Sequence, residues 1–189
     1  VFLLAVLVGG AFGAGDQYLG SLPSLGAWGA PVSLMSAPWL VLPFAFGATQ
    51  VNARRGALAG LVASASALAA YFVMIMGPFE GGHSSFTATE LKGLLLSNGL
   101  NLAGALVTGP LFGWLGHRWR TRRALSSAAL VAGALLLEQP FLHLLAGSLR
   151  GLPEGAPLAT SLAEAGAGVC LAAYFLLRHR QFRRACPAA

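Results

Sequence analysis

The side chains of this chain that are equipped for chemistry are acids and amides set inside apolar stretches. Glu138 and Glu164 each interrupt a run of small and aliphatic residues, and Asn98 and Asn101, three apart, share one helical face. A carboxyl in hydrocarbon surroundings is costly when ionised, so it must pair, hold a proton or line water. Its natural partners are a cation, a polar ligand or the polar groups of a neighbouring helix. Trp39 offers an aromatic wall, Asp16 a third carboxyl, and His143 an imidazole four residues after Gln139. Glu138, Glu164, Asn98, Asn101, Trp39, His143 and Asp16 are therefore the candidate ligand-binding residues.

Other chemistries find little support. The sequence has no Gly-x-Ser-x-Gly elbow, His-Glu-x-x-His helix, phosphate loop or aspartate pair suited to intramembrane proteolysis. Gly81-Gly82-His83-Ser84-Ser85 places a histidine beside serines, but in a glycine-rich stretch that reads as a turn. His143, Glu138 and Glu164 lack the close spacing of metal-binding motifs, so neither a metal nor a cofactor is expected, and no catalytic residue is assigned. Cys170 falls mid-stretch and Cys186 in the tail, a placement that argues against a mutual disulfide. The ending Cys186-Pro187-Ala188-Ala189 matches a prenylation box by form alone.

These polar groups need long apolar elements to carry them. Hydrophobic residues make up 56% of the 189-residue chain and charged residues 10%, with a mean hydropathy of +0.70; that balance describes a polypeptide solvated mostly by lipid. Six apolar stretches approach the ~20 residues that cross ~30 Å of hydrocarbon as a helix. They run from Val1 to Tyr18, Val32 to Thr49, Gly56 to Met76, Gly93 to Leu115, Ala124 to Leu145 and Leu158 to Leu177. The expected fold is all-α: a polytopic membrane protein forming one compact bundle of six transmembrane helices over residues 1–189, with a basic tail from about residue 178. The first stretch opens on Val1 without a basic flank, a pattern shared by a signal-peptide remnant, and is read as a true span.

Charge orients the bundle. Ten of the twelve basic residues occupy three segments: Arg54 and Arg55; Arg118, Arg120, Arg122 and Arg123; and Arg178, Arg180, Arg183 and Arg184. None of these segments holds an acid, so the positive-inside rule places them, and both termini, in the cytoplasm of a cell-membrane protein. Lys92 and Arg150 remain outside. The net charge of +6 is thus accounted for by lipid-facing anchors, and nucleic acid is not an expected partner. Trp114 and Trp119 should flank the inner interface and Trp28 the outer.

Counting about 1.5 Å per residue from the outer helix ends puts Asn98 and Asn101 about 8 to 12 Å deep, Glu138 about 10 Å and Glu164 about 9 Å, with Trp39 at a similar level. Gly9 and Gly13, Gly56 and Gly60, and Gly109 and Gly113 form small-residue faces suited to helix packing within one monomer. Pro38, Pro43, Pro110 and Pro140 should kink or locally unwind their spans.

Ser36-Ala37-Pro38-Trp39-Leu40, the run from Gly109 to Arg120 (Gly-Pro-Leu-Phe-Gly-Trp-Leu-Gly-His-Arg-Trp-Arg) and the acid at Glu138 resemble an uncharacterised family of small actinobacterial membrane proteins, a domain of unknown function. The resemblance implies a membrane location and this architecture, and brings no activity. A looser architectural similarity links the chain to the substrate-capture subunits of energy-coupling-factor transporters, which implies a small ligand near the outer surface and a transmembrane partner subunit. The leading expectation is a small-molecule or cation binding and transport component in contact with the lipid bilayer. A non-catalytic membrane scaffold is the alternative, and an intramembrane enzyme using Glu138 or His143 as a base the third.

Overall fold

A computed structural model describes residues 1–33, 35, 37–76, 87–122, 124–145 and 156–185, excluding the side chains of residues 30, 31, 90, 100, 101, 135, 137–145, 156, 157 and 182–185. The described residues are all-α. Eight helices follow in order: α1 (Phe2–Ser21), α2 (Gly29–Ser33), α3 (Ala37–Ala48), α4 (Ala53–Met76), α5 (Ala88–Ser97), α6 (Gly99–Arg122), α7 (Leu125–Leu145) and α8 (Ala156–Ala185). A short 3-10 segment, Pro23–Trp28, joins α1 to α2 and bends at Gly26, whose φ of 51° favours a residue without a Cβ.

Among the described residues, three helices are long and apolar enough to cross a membrane: α1, α4 and the Leu158–Gln181 portion of α8. A fourth crossing is available if Leu91–Ser97 and Leu102–Arg122, inclined at 66°, act together. The remaining apolar segments, α3 and Leu125–Ala134 of α7, are shorter. Apolar side chains such as Leu3, Leu58, Val107, Leu130 and Leu177 are exposed along the outer faces of these helices. A surface so apolar is suited to lipid contact rather than to water.

Two expected spans are not single helices. Pro43 and Pro110 are accommodated inside α3 and α6, so a missing N–H does not by itself end a helix; the stretch from Val32 to Thr49 nevertheless divides between α2 and α3, and Pro38 does not sit in a helix interior. It occupies the second position of α3 instead, where no intrahelical donor is needed. With 12 residues α3 is about 18 Å long, well short of the ~30 Å hydrocarbon layer. The stretch from Gly93 to Leu115 divides at Asn98, between α5 and α6. There the Asn98 side-chain amide and its backbone N–H both donate to the Leu94 carbonyl, at 3.0 and 3.1 Å, and Gly99 follows.

Glycine faces hold the centre of the bundle together. Gly9 and Gly13 of α1 lie against Ala63 and Ala67 of α4, and a Cβ on Gly13 would come within 1.8 Å of the Ala67 carbonyl oxygen. On its other side α4 meets α6, Gly56 and Gly60 facing Gly109 and Gly113, and Gly47 of α3 also abuts Gly113. These faces are therefore used for packing inside one chain. A separate hydrophobic cluster joins α3, α6, α7 and α8 through Leu40, Phe44, Phe112, Leu115, Trp119, Val131 and Phe175. Trp119 is only 4% exposed and packs edge-on to Phe175 at 4.5 Å. It is a core anchor, contrary to the expectation of an interfacial ring, because Phe175 of α8 covers it.

Candidate functional site

The first turn of α3 is where polar side chains from distant parts of the chain converge. Starting a helix at Ala37 leaves its peptide N–H without an intrahelical acceptor. Glu164, from the second half of the sequence, supplies one: its Oε1 accepts from the Ala37 N–H, and the side chain is 0% exposed. The carboxyl thus caps α3 and ties it to α8. The acid buried in α8 meets a need created by the helix start at Ala37.

Two residues further on, Trp39 points to α1. Its Nε1–H donates to Asp16 Oδ2 at 3.3 Å. Phe12, one helical turn before Asp16 and on the same face of α1, packs edge-on to Trp39 with ring centroids 5.1 Å apart. Tyr71 of α4 completes the group from the other side, its ring centred 6.0 Å from Trp39. Close approach of α1 to α4 makes this meeting possible, since Ala63, Ala67 and Tyr71 recur every four residues on one face of α4. Phe12, Asp16, Trp39 and Tyr71 are all half-buried.

The other end of α3 is treated differently. Arg120 donates to the Ala48 carbonyl at 3.1 Å, and His117 Nδ1 lies 3.0 Å from the Gln50 carbonyl. The backbone N–H of Gln50 closes on Gly47. A cation here complements the negative end of the helix, as well as filling carbonyls that have no intrahelical donor. Arg118 stacks on Trp114 at 5.0 Å and Arg178 on Tyr174 at 5.7 Å. With the Trp119–Phe175 contact, these interactions gather the α3–α4 turn, the end of α6 and the later part of α8 at one pole of the bundle, opposite Asp16, Trp39 and Glu164.

Among the expected site residues, the structure brings Asp16 and Trp39 into direct contact and sets Glu164 of α8 against the first turn of α3, which carries Trp39. Asn98 lies at the α5–α6 break, where its amide donates to Leu94 O and Ser97 Oγ. Asn101 falls on α6 and Glu138 and His143 on α7, but their side chains lie outside the described residues. Phe12 and Tyr71 were not anticipated. The spacing of Phe12 four residues before Asp16 carried a usable signal, whereas nothing in the sequence tied Tyr71 to Trp39.

Chemically, the arrangement offers carboxyl acceptors and aromatic walls. Among the described residues no three His, Cys, Asp or Glu side chains gather to hold a metal ion. Comparison with models of protein families, with curated proteins and with solved structures finds no match. Fold and site together describe a helical protein with several membrane-compatible helices and a polar, aromatic cluster at one end.

Proposed function

We infer that the chain is a small-molecule or cation binding and transport component of the cell membrane. In this reading it crosses the bilayer six times, the second crossing shared between α2 and α3 and the fourth between α5 and α6, with both termini cytoplasmic and the ligand held in the outer half of the bundle. Asp16 and Trp39 contact the ligand directly. Glu164 fixes the helix that presents Trp39, and Asn98, Asn101, Glu138 and His143 supply further polar groups from α5–α6 and α7. The observation that carries the reading is the meeting of Asp16 with Trp39, a half-exposed carboxyl on an aromatic ring in an otherwise apolar assembly. A partly accessible acid of this kind is a functional candidate wherever lipid is the main solvent.

The test is a thermal melt of the full chain in detergent against a panel of inorganic cations, organic cations and neutral polar solutes. A ligand present at about a hundred times its Kd adds about 2.7 kcal/mol to the folded state, a change that a melt resolves. At least one class should stabilise the wild type and lose its effect on Asp16→Asn. If no class stabilises the protein, the binding reading is overturned.

The scaffold reading rests on a different observation, the complete burial of Glu164 against the α3 terminus. In that reading the acids serve only to join helices. An inert panel together with strong destabilisation by Glu164→Leu would favour it.

A further inference from the structure

The cluster around Asp16 has a more specific chemical character than that of a polar pocket. The ring planes of Phe12 and Trp39 meet at 71° and those of Trp39 and Tyr71 at 78°. The rings therefore meet edge to face rather than as a parallel stack. Ring faces carry negative charge and attract a cation within about 6 Å of the centroid. Asp16 is bonded to the middle ring of the three, and the indole N–H occupies one position on a carboxyl that offers roughly four lone-pair sites. The described arginines gather at the opposite pole of the bundle, where Arg120 and Arg118 are engaged with Ala48 and Trp114.

One carboxyl with three rings fits some cations better than others. Hard divalent ions require six or more oxygen ligands, or octahedral geometry with retained waters, and soft transition metals favour thiolate or imidazole. The described residues hold no such donor set. A neutral solute would leave the acid without a counter-charge. An alkylammonium ion uses both features, because its charge is spread over carbon-bound hydrogens that lie against aromatic faces while the carboxyl balances it.

Resting on the binding reading above, we propose that Asp16, Trp39, Phe12 and Tyr71 form a recognition site for a small alkylammonium cation. The nitrogen sits against the Asp16 carboxyl and the attached methyl or methylene groups against the rings of Phe12, Trp39 and Tyr71. Glu164 acts as a positioning residue, because its bond to the Ala37 N–H fixes the turn that carries Trp39.

The experiment uses the full chain in detergent, with choline and tetramethylammonium as cationic probes and 3,3-dimethyl-1-butanol as the neutral isostere of choline. Binding is read by thermal shift and by tryptophan fluorescence, with sodium, magnesium and a neutral sugar as further arms. Choline should bind at least about tenfold more tightly than its neutral isostere, and Asp16→Asn should abolish that difference. Phe12→Leu, which keeps apolar bulk, should weaken choline by about fivefold and remains informative if Asp16→Asn does not fold. Gly104→Ala, in open space on α6, should leave affinity unchanged. Equal affinity for choline and its isostere, or choline binding indifferent to Asp16→Asn and Phe12→Leu, overturns the proposal. Binding of a metal ion or the sugar without any ammonium also overturns it while leaving the broader binding reading intact. Failure of every probe class removes both.

Discussion

Glu164 illustrates how a single side chain can meet a need created 127 positions earlier in the sequence. A peptide N–H buried without an acceptor costs about 1 to 3 kcal/mol, and Ala37 would be in that position if the carboxyl were absent. The chemistry of the cap, rather than bulk, is what the site requires. Glu164→Gln keeps a carbonyl oxygen at the same reach and should retain most of the stability, whereas Glu164→Leu should lower it by about 1 to 3 kcal/mol. Thermal or denaturant melts of the two variants in one detergent measure the difference. Equal destabilisation by Gln and Leu would show that the bond to Ala37 contributes little. Asp16 belongs to another category despite similar chemistry, since it is half-buried and bonded to a half-buried side chain.

Helix contacts in this bundle are set by backbone proximity. Gly113 of α6 lies where α3, α4 and α6 converge, and a Cβ there would come within 2.3 Å of the Gly56 carbonyl oxygen. Because that neighbour is backbone, relief requires the helices to separate. Gly113→Ala should therefore destabilise by about 1 to 3 kcal/mol, whereas Gly104→Ala on the same helix meets nothing within 4 Å and should be neutral or slightly stabilising. A melt of each variant tests the contrast, and equal stability of the two would contradict this packing. Much of this level was legible in the sequence: the apolar runs of α1, α4, α7 and α8 and the paired glycines stand out by composition and spacing. The interruption near Pro38 was signalled by the proline itself, whereas the division at Asn98 was not, because an averaged apolar run is insensitive to a local bend. The acids of the site were conspicuous for the cost of placing them in apolar surroundings. Their partners were hidden, since the Asp16–Trp39 contact depends on how the 3-10 segment and α2 return the chain.

At the scale of the whole molecule, chemistry is polarised along the bundle. One pole carries the carboxyls of Asp16 and Glu164 with their aromatic neighbours; the other carries His117, Arg118, Arg120 and Arg178, engaged with backbone carbonyls and rings. The 30 residues of α8 extend about 45 Å, more than the ~30 Å hydrocarbon layer requires, and its surplus carries arginines at its later end. In the proposed topology, anionic lipid and the positive-inside rule put the arginine pole in the cytoplasm and the Asp16 cluster outside. Single cysteines test this orientation in a background with Cys170 and Cys186 changed to serine. Ser24→Cys and Thr87→Cys, exposed near the acidic pole and at the start of α5, should react with an impermeant maleimide added to intact cells. Thr121→Cys, exposed at the end of α6, should react only after the membrane is permeabilised. The reverse pattern would invert the protein and turn the alkylammonium site toward the cytoplasm; labelling of all three in intact cells would break the rule that every arginine-rich turn lies on one side.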